Sequence, residues 1–153
     1  MTLRMEYRTV APGAVEALTG LNRYSDTCSI SQRLRRLIEV LVSQINGCTY
    51  CIDVHSKQSI LLGEPQERID ALAQWQAATL FSVAEIAAFA WAESVTNINM
   101  GDESDARFEK LKDHFSEVEI VDLTFIVLSM NAWNRLAISF GREAPTDKQH
   151  RVH

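Results

Sequence analysis

A helix-start pattern that recurs along the chain most constrains what it can fold into. Ser-x-x-Gln or Ser-x-x-Glu sequences, whose two end residues can cap each other's backbone N–H groups, are typical of the first turn of a helix. They begin at Ser29, Ser82 and Ser116. Each is followed by apolar residues at helical spacing, as from Leu34 to Ile45, and no alternating strand-like run of convincing length interrupts them. The pattern predicts an all-α fold.

The same spacing divides the chain into six or seven helices, which we expect to pack as a compact orthogonal-type helical domain. Asn46-Gly47 marks the end of one helix, since glycine commonly adopts the left-handed conformation there. The other predicted helices begin near Cys48, run from Pro65 toward Thr79, follow Ser82, span Ala106–His114, and extend from Ser116 toward Gly141. The last of these is apolar on nearly all sides, so we expect it to be buried, in part at a subunit interface.

The chain has 153 residues, of which 46% are hydrophobic, and that is enough for one sizeable core. We therefore expect a single domain over 1–153, with its core at about 15–142 and a polar C-terminal tail at 145–153. In the last helix, polar groups must find partners when buried, so they are predicted to tie helices or subunits together. These residues are Asp122, Asn131, Asn134 and Arg135.

Charge and cysteine usage narrow the function classes. Fifteen Lys+Arg against 20 Asp+Glu give a net charge of −5, which argues against a nucleic-acid partner. The basic cluster of Arg33, Arg35 and Arg36 is predicted to be mainly a solvated helix face. No apolar run approaches the roughly 18 residues of a membrane span, and three cysteines cannot form a fully paired disulfide framework. We expect a cytoplasmic protein with no membrane partner.

The segment from Cys48 to His55 carries the residues that ask for a chemical explanation. Helical steps of about 100° place Cys48, Cys51 and His55 on one face. Two thiols three residues apart at a helix start can close a disulfide, and the helix dipole favours the thiolate in the first turn. His55, one turn beyond Cys51, can accept or return its proton. This is the outline of a redox site.

Two other interpretations of the cysteines stay open on the residues alone. Cys48 and Cys51 can be small buried hydrophobic residues, or half of a zinc site. Cys28 and His114 are the candidates to complete such a site, although neither forms the second ligand pair that structural zinc sites usually have. Cys28 is otherwise interpreted as a plain thiol.

The run Leu41–Cys51 (LVSQINGCTYC), followed by His55, closely resembles a known signature. It is the Ser-Gln-x-Asn-Gly-Cys-x-Tyr-Cys-x-x-x-His pattern of alkylhydroperoxidase D-like (AhpD-like) proteins in the carboxymuconolactone decarboxylase superfamily. Further similarity covers roughly residues 15 to 142. It is found at Gly63–Pro65, Ala90–Thr96 and Asn131–Arg135.

The resemblance implies a helical fold that assembles into a ring, a homotrimer or homohexamer, and an oxidoreductase of peroxiredoxin type. Cys51 then corresponds to the peroxidatic cysteine, Cys48 to the resolving and more exposed one, and His55 to a relay histidine. The substrate would be an organic hydroperoxide. No cofactor or metal is implied, and an external dithiol or a thiol–disulfide reductant protein would recycle the disulfide.

One position departs from the family pattern. Members carry a relay glutamate twelve residues before the first cysteine, where this chain has Arg36. Glu39 lies about one turn further along the same predicted helix, so it is the candidate to deliver a carboxylate to Cys51 and His55. Alternatively, the charge of Arg36 itself lowers a thiol pKa.

Three functions are therefore carried forward. The first is a thiol-dependent alkylhydroperoxidase using Cys51, Cys48, His55 and Glu39. The second is a non-catalytic oligomer that senses oxidation or binds zinc through the same thiols. The third is the superfamily's lactone decarboxylase activity, against which the cysteine pair argues because that reaction does not require it.

Overall fold

The computed structural model describes residues 2–98 and 103–144, and within them it contains only helices and loops. The helices are α1 Tyr7–Val10, α2 Pro12–Thr27, α3 Gln32–Asn46, α4 Thr49–Leu61, α5 Gln66–Ala71, a 3-10 helix Leu72–Gln74, α6 Val83–Thr96, α7 Glu103–Lys112 and α8 Glu117–Ser139. The predicted all-α class is confirmed. The predicted tail at 145–153 lies outside the described residues.

Helix α3 lies at the centre of the fold. It packs against α4, α6 and α8, and α8 also contacts α2. From Leu37 to Val42 every residue of α3 is buried, and the facing helices contribute the other large apolar side chains of the core. These include Phe89, Leu123, Ile126 and Val127. A helix surrounded on several sides holds its polar residues rigidly. Of the predicted site residues, Glu39 lies on α3, and Cys48 follows its C-cap Gly47.

The predicted helix starts are right in two cases and wrong in one. Full capping boxes form at Ser82 with Glu85 and at Ser116 with Glu119. Helix α3 is instead capped by Ser31, whose Oγ accepts a hydrogen bond from the backbone N–H of Leu34 at 3.2 Å. The side chain of Ser29 is engaged elsewhere, since it donates to a carboxylate of α8 at 2.9 Å. A tertiary contact therefore overrides the local capping pattern.

The count of six or seven helices is also corrected, because the described residues form eight α-helices and one 3-10 helix. Helix α1 has only four residues, too few to leave a periodic pattern. The helix predicted from Pro65 toward Thr79 stops at Ala71 and continues as a 3-10 helix. Its buried residues Ile69, Leu72 and Trp75 are three positions apart, a spacing that 3-10 geometry aligns on one edge.

Helix α8 is buried on one side and exposed on the other, whereas we predicted burial on nearly all sides. Four apolar side chains form an exposed stripe along it. They are Val118 at 63%, Val121 at 52%, Phe125 at 41% and Leu128 at 46% exposed. The predicted subunit interface remains a prediction. No helix in the described part of the chain combines the length and apolarity that a membrane crossing requires.

Polar side chains on α8 tie the helices together, as predicted. Asn46, at the end of α3, donates from Nδ2 to Asn131 at 3.0 Å and to Asn134 at 2.9 Å. Asn134 donates to Ser43 on α3, and Asn131 to Thr96 on α6. These bonds fix the end of α3, from which the chain turns into the cysteine segment.

The N-terminal segment closes over the end of α8. The backbone N–H of Arg4 donates to the carbonyl of Phe140 at 2.8 Å, and the ring of Tyr7 packs on Phe140. Gly141 has a φ of 70°, and a Cβ there would collide with the carbonyl oxygen of Thr2. Glycine is therefore required both for the turn and for this close approach, which brings α1 beside α4 and α8.

Candidate functional site

The cysteine pair sits at a sharp turn between α3 and α4. Gly47 ends α3 in the left-handed conformation with φ 70°, as the sequence predicts. Cys48 is then the N-cap of α4, and its Sγ accepts a hydrogen bond from the backbone N–H of Cys51 at 3.4 Å. The two Cα atoms are 5.4 Å apart and the sulfur atoms lie at disulfide-bonding distance. The geometry is that of a dithiol able to form a disulfide.

Cys51, rather than Cys48, faces the cavity beside α4. Cys51 and His55 both line a cavity of about 310 Å³, while Cys48 is outside its wall. The expectation that Cys48 is the more exposed cysteine is wrong for the single chain, since Cys48 is 1% exposed and Cys51 4%. The cause is its capping position, because the side chain folds back over the first turn of α4. A small molecule in the cavity would meet Cys51.

The rest of the cavity wall comes from four helices. Its aromatic residues are Tyr7, Tyr50 and Trp133, its apolar residues Val54, Met130 and Ala137, and its polar residues Arg8, Thr19, Asn22 and Gln58. The residues of α1 and α2 were missed, since only tertiary packing brings them there. Gln58 lies one turn beyond His55, and helical spacing could have indicated it.

His55 connects the cavity to a buried carboxylate. Its Nδ1 lies 2.9 Å from Oε2 of Glu39 and 3.0 Å from Oε1 of Gln58. Both neighbours are acceptors, so Nδ1 carries a proton, and Nε2 is left as the ring nitrogen that can exchange a proton elsewhere. The structure thus brings Glu39 to His55.

Glu39 is ionised inside the protein. It is 4% exposed, and burial alone would raise its pKa. The hydrogen bond from His55 and the nearby positive charges outweigh that effect and lower the pKa of Glu39 to about 2. Those charges belong to His55, Arg36 and Arg35. Arg36 donates from Nη1 to Oε2 at 2.6 Å, and Arg35 from Nε to Oε1 at 2.9 Å.

The predicted solvated face of Arg33, Arg35 and Arg36 is therefore wrong for Arg35, which is 2% exposed. Its Nη1 donates to Asp26 on α2, so the guanidinium joins two acidic partners. An arginine this deeply buried needs paired carboxylates. Arg36 is half-buried, and its partner is Glu39.

The residues proposed to complete a zinc site lie in other surroundings. Cys28 donates from Sγ to the carbonyl of Ser25 at 3.4 Å, and His114 is exposed. Within residues 2–98 and 103–144, no three His, Cys, Asp or Glu side chains come together in a way that could hold a metal ion.

A second buried carboxylate, Asp122 on α8, lies away from the cavity wall. It is 2% exposed and accepts hydrogen bonds from the Tyr24 hydroxyl at 2.7 Å, the Ser29 hydroxyl at 2.9 Å and the Ser29 N–H at 3.3 Å. Burial would raise the pKa of Asp122, but the bonds from Tyr24 and Ser29 lower it below its usual range.

Comparison with known proteins identifies relatives of this chain. Residues 12–94 match the carboxymuconolactone decarboxylase family. The chain is 33% identical to the uncharacterized protein YdfG of Bacillus subtilis (strain 168) over 144 residues, which are 94% of this chain and 98% of YdfG.

Solved structures share the fold. A protein of unknown function from Agrobacterium tumefaciens, a putative antioxidant defence protein AhpD, superposes with a TM-score of 0.92 at 32% identity, covering 95% of this chain and 100% of that one. An uncharacterized peroxidase-related protein from Ralstonia eutropha JMP134, an alkylhydroperoxidase AhpD core, superposes with a TM-score of 0.78 at 22% identity. The match covers 92% of this chain and 75% of that one. The second likeness bears on the fold alone. The chain belongs to the carboxymuconolactone decarboxylase family, as an AhpD-like member.

Proposed function

We propose that this protein is a thiol-dependent alkylhydroperoxidase, which reduces organic hydroperoxides through Cys51 and Cys48. The observation that carries the proposal is the composition of one cavity wall. Cys51 and His55 both line it, and Cys48 lies behind Cys51 at disulfide-bonding distance. A nucleophile and a proton carrier are thus within reach of one bound molecule, and a second thiol is within reach of the nucleophile.

In the first step the Cys51 thiolate attacks the terminal oxygen of the hydroperoxide. The S–O bond forms as the O–O bond breaks, so sulfur is oxidised to the sulfenic acid and the substrate is reduced. The leaving alkoxide takes up a proton and departs as the alcohol. His55 is the group proposed to supply this proton. Its Nε2 is free while Nδ1 is bonded to Glu39, so it first takes the proton of the Cys51 thiol and then gives it to the alkoxide.

In the second step the Cys48 thiolate attacks the sulfenic sulfur of Cys51. The disulfide forms and the sulfenic oxygen leaves as water after protonation. The Cα separation of 5.4 Å is within the usual disulfide range, so this step needs no movement of α4 as a whole. The second thiol also protects Cys51 from further oxidation.

Glu39 is proposed to act through His55. With a pKa of about 2 it stays negative at neutral pH, so it holds the imidazole in one orientation and stabilises the positive form of the ring. It would thereby replace the relay glutamate of the family, whose position is occupied by Arg36. Arg36 then serves to keep Glu39 ionised.

Recycling and assembly belong to the same proposal. An external dithiol must reduce the Cys48–Cys51 disulfide, and the reaction as written uses no other cofactor. Burial of both cysteines favours a slender dithiol over direct contact with a large protein surface. The exposed stripe on α8 supports an assembly such as a homotrimer or homohexamer, because large contiguous apolar patches on a protein surface mark interaction sites.

The test is a count of free thiols on reduced protein before and after one equivalent of cumene hydroperoxide. Of the three cysteines, we expect wild-type protein to lose two, while Cys51→Ser reacts slowly or not at all. Cys28→Ser is the matched control, because the Cys28 thiol is hydrogen-bonded to the carbonyl of Ser25 and lies outside the cavity wall. It should lose both remaining thiols as fast as wild type.

Persistence of the thiols while hydroperoxide remains would contradict the proposal. Equal losses in wild-type protein and in Cys51→Ser would contradict the assignment of Cys51. With a dithiol donor present, wild-type protein should consume hydroperoxide continuously and at the rate of thiol loss. That result would support the complete catalytic cycle.

A further inference from the structure

The charge lining the cavity is one-sided. Arg8 and His55 are the side chains there that can carry a positive charge, and the described lining residues include no Asp or Glu. The chain as a whole has a net charge of −5. A wall without carboxylates on an acidic protein favours an anionic group over a cationic one.

The guanidinium of Arg8 is held in place by rings. Its Cζ lies 5.9 Å from the centre of the Trp133 ring and 6.0 Å from that of Tyr7. Trp133 is itself fixed, since its Nε1 donates to Asn22 at 3.1 Å. Stacking on aromatic faces positions an arginine without neutralising its charge.

Among the residues that the structure describes, no carboxylate pairs with Arg8. Glu6, two residues earlier, is engaged with Arg142 at 3.1 Å, and it meets Arg8 only at the backbone N–H. The donors of Arg8 are therefore available to a carboxylate oxygen entering from solvent. Arginine binds such groups through two parallel N–H bonds when geometry allows.

The size of the cavity limits what can be bound. About 310 Å³ lies at the lower end of the range of roughly 300–1,000 Å³ that small-molecule sites occupy. Aromatic and apolar side chains, Trp133, Val54 and Met130, line the space that also holds Cys51. A small molecule with an apolar or aromatic body fits this wall, and a long lipid chain would extend outside it.

We propose that the preferred substrate is a small organic hydroperoxide that also carries a carboxylate, and that Arg8 is the residue that selects it. This rests on the proposed hydroperoxidase activity. The carboxylate pairs with Arg8, the apolar body lies along Trp133, and the hydroperoxide reaches Cys51. Arg8 binds one end of the substrate, so its effect is expected mainly on KM. The reaction at Cys51 is the same for hydroperoxides with and without a carboxylate.

The first experiment compares cumene hydroperoxide bearing a para carboxylate with its methyl ester. For wild-type protein the carboxylate should have the lower KM, and Arg8→Gln should raise that KM roughly three- to tenfold, a larger change than the one it causes for the ester. Arg8→Lys should restore part of the preference. Arg23→Gln is the matched control, because Arg23 is exposed, pairs with Glu16 and lies outside the cavity wall.

The second experiment measures binding without turnover, by calorimetric titration with 4-isopropylbenzoate and with 4-isopropylbenzamide. Wild-type protein should bind the anion more tightly, the preference should shrink as salt is added, and Arg8→Gln should bind the two equally. A preference that survives in Arg8→Gln would assign the anion to His55 and overturn the inference, as would equal binding by wild type.

The two proposals fail in different ways. If wild-type protein consumes neither hydroperoxide, the hydroperoxidase proposal fails and the choice of hydroperoxide as substrate fails with it. If it consumes both with the same KM, the activity stands and the selection by Arg8 is contradicted.

Discussion

Two buried carboxylates, Glu39 on α3 and Asp122 on α8, are stabilised in different ways. They are 4% and 2% exposed, and the pKa of each is lowered although burial opposes it. Glu39 is neutralised by cations, the two arginines and His55. Asp122 is held by neutral donors, the hydroxyl of Tyr24 and the hydroxyl and backbone N–H of Ser29.

The difference supports the proposal that Glu39, and not Asp122, takes part in the chemistry. One partner of Glu39, His55, is a proton carrier in the wall of the cavity. Neither partner of Asp122 lies in that wall. Burial and a low pKa therefore do not by themselves mark a functional carboxylate. What marks it is the kind of group to which it is hydrogen-bonded. Variants at each of the two carboxylates can test this difference.

The largest expected effect is on acid stability. Because the pKa of Glu39 is about 2 in the folded protein and near its ordinary value of 4.5 when unfolded, its contribution is complete above about pH 4.5. It is lost as the pH falls toward 2, which amounts to about 3 kcal/mol over the whole window. Urea unfolding of wild type and Glu39→Gln across pH 7 to 3 measures the difference, which should shrink as the pH falls.

Asp122→Asn is the paired variant for that series. The difference in stability between Asp122→Asn and wild type should change in the same direction and by less, since the partners of Asp122 are neutral donors and not cations. A wild-type minus Glu39→Gln difference that is independent of pH would contradict the electrostatic account of Glu39.

The next effect is on the rate of Cys51 oxidation. Glu39→Gln should slow it roughly 10- to 100-fold, because His55 loses the anion that orients it and stabilises its positive form. Asp122→Asn should leave the rate unchanged per folded molecule. Stopped-flow Trp fluorescence or quenched thiol counts over pH 5 to 9 would measure both variants.

The pH dependence separates positioning from loss of structure. Without the carboxylate, the pH dependence of the rate should differ from that of wild type, because the negative charge of Glu39 no longer acts on the groups that exchange protons in the cavity. Glu39→Asp should recover part of the rate. A slow variant with the wild-type pH profile would indicate damage to packing and would remove Glu39 from the proposed relay.

The smallest effect is at the structural carboxylate. Ser29→Ala removes a hydroxyl donor 2.9 Å from Asp122 and leaves the bonds from Tyr24 and the backbone. We expect a loss of about 1 kcal/mol in the free energy of unfolding, measured in urea, with no change in the oxidation rate. A change in rate would mean that the two carboxylates are coupled.

What the sequence predicts well is local. The capping boxes at Ser82 and Ser116 and the glycine turn before Cys48 depend on neighbours within a few residues, and the structure confirms them. Ser29 fails as a cap because its partner, Asp122, is distant in the chain. Periodicity finds most of the long helices. It misses α2, in which Ser25 is the only buried residue, and it cannot detect the four residues of α1.

The candidate site likewise contains residues that local spacing predicts and residues that only tertiary contacts bring in. Cys51 and His55 lie on one face of α4 and Cys48 is its N-cap, so their spacing in the sequence suffices to group them. Glu39 follows as the carboxylate one helix earlier. Arg8 reaches the cavity only because the N-terminal segment docks on the end of α8. The buried state of Arg35 likewise depends on Asp26, which belongs to another helix. No local pattern contains these contacts.

The central claim is that a hydroperoxide in the cavity reacts with Cys51, and Cys48→Ser tests it most directly by removing the thiol that would resolve the product. After one equivalent of cumene hydroperoxide and a sulfenic-acid-specific label, mass spectrometry of the peptides reads out the oxidised residue. The account predicts one label per chain, on Cys51. A label on Cys28, or unlabelled protein with the hydroperoxide left intact, would contradict it.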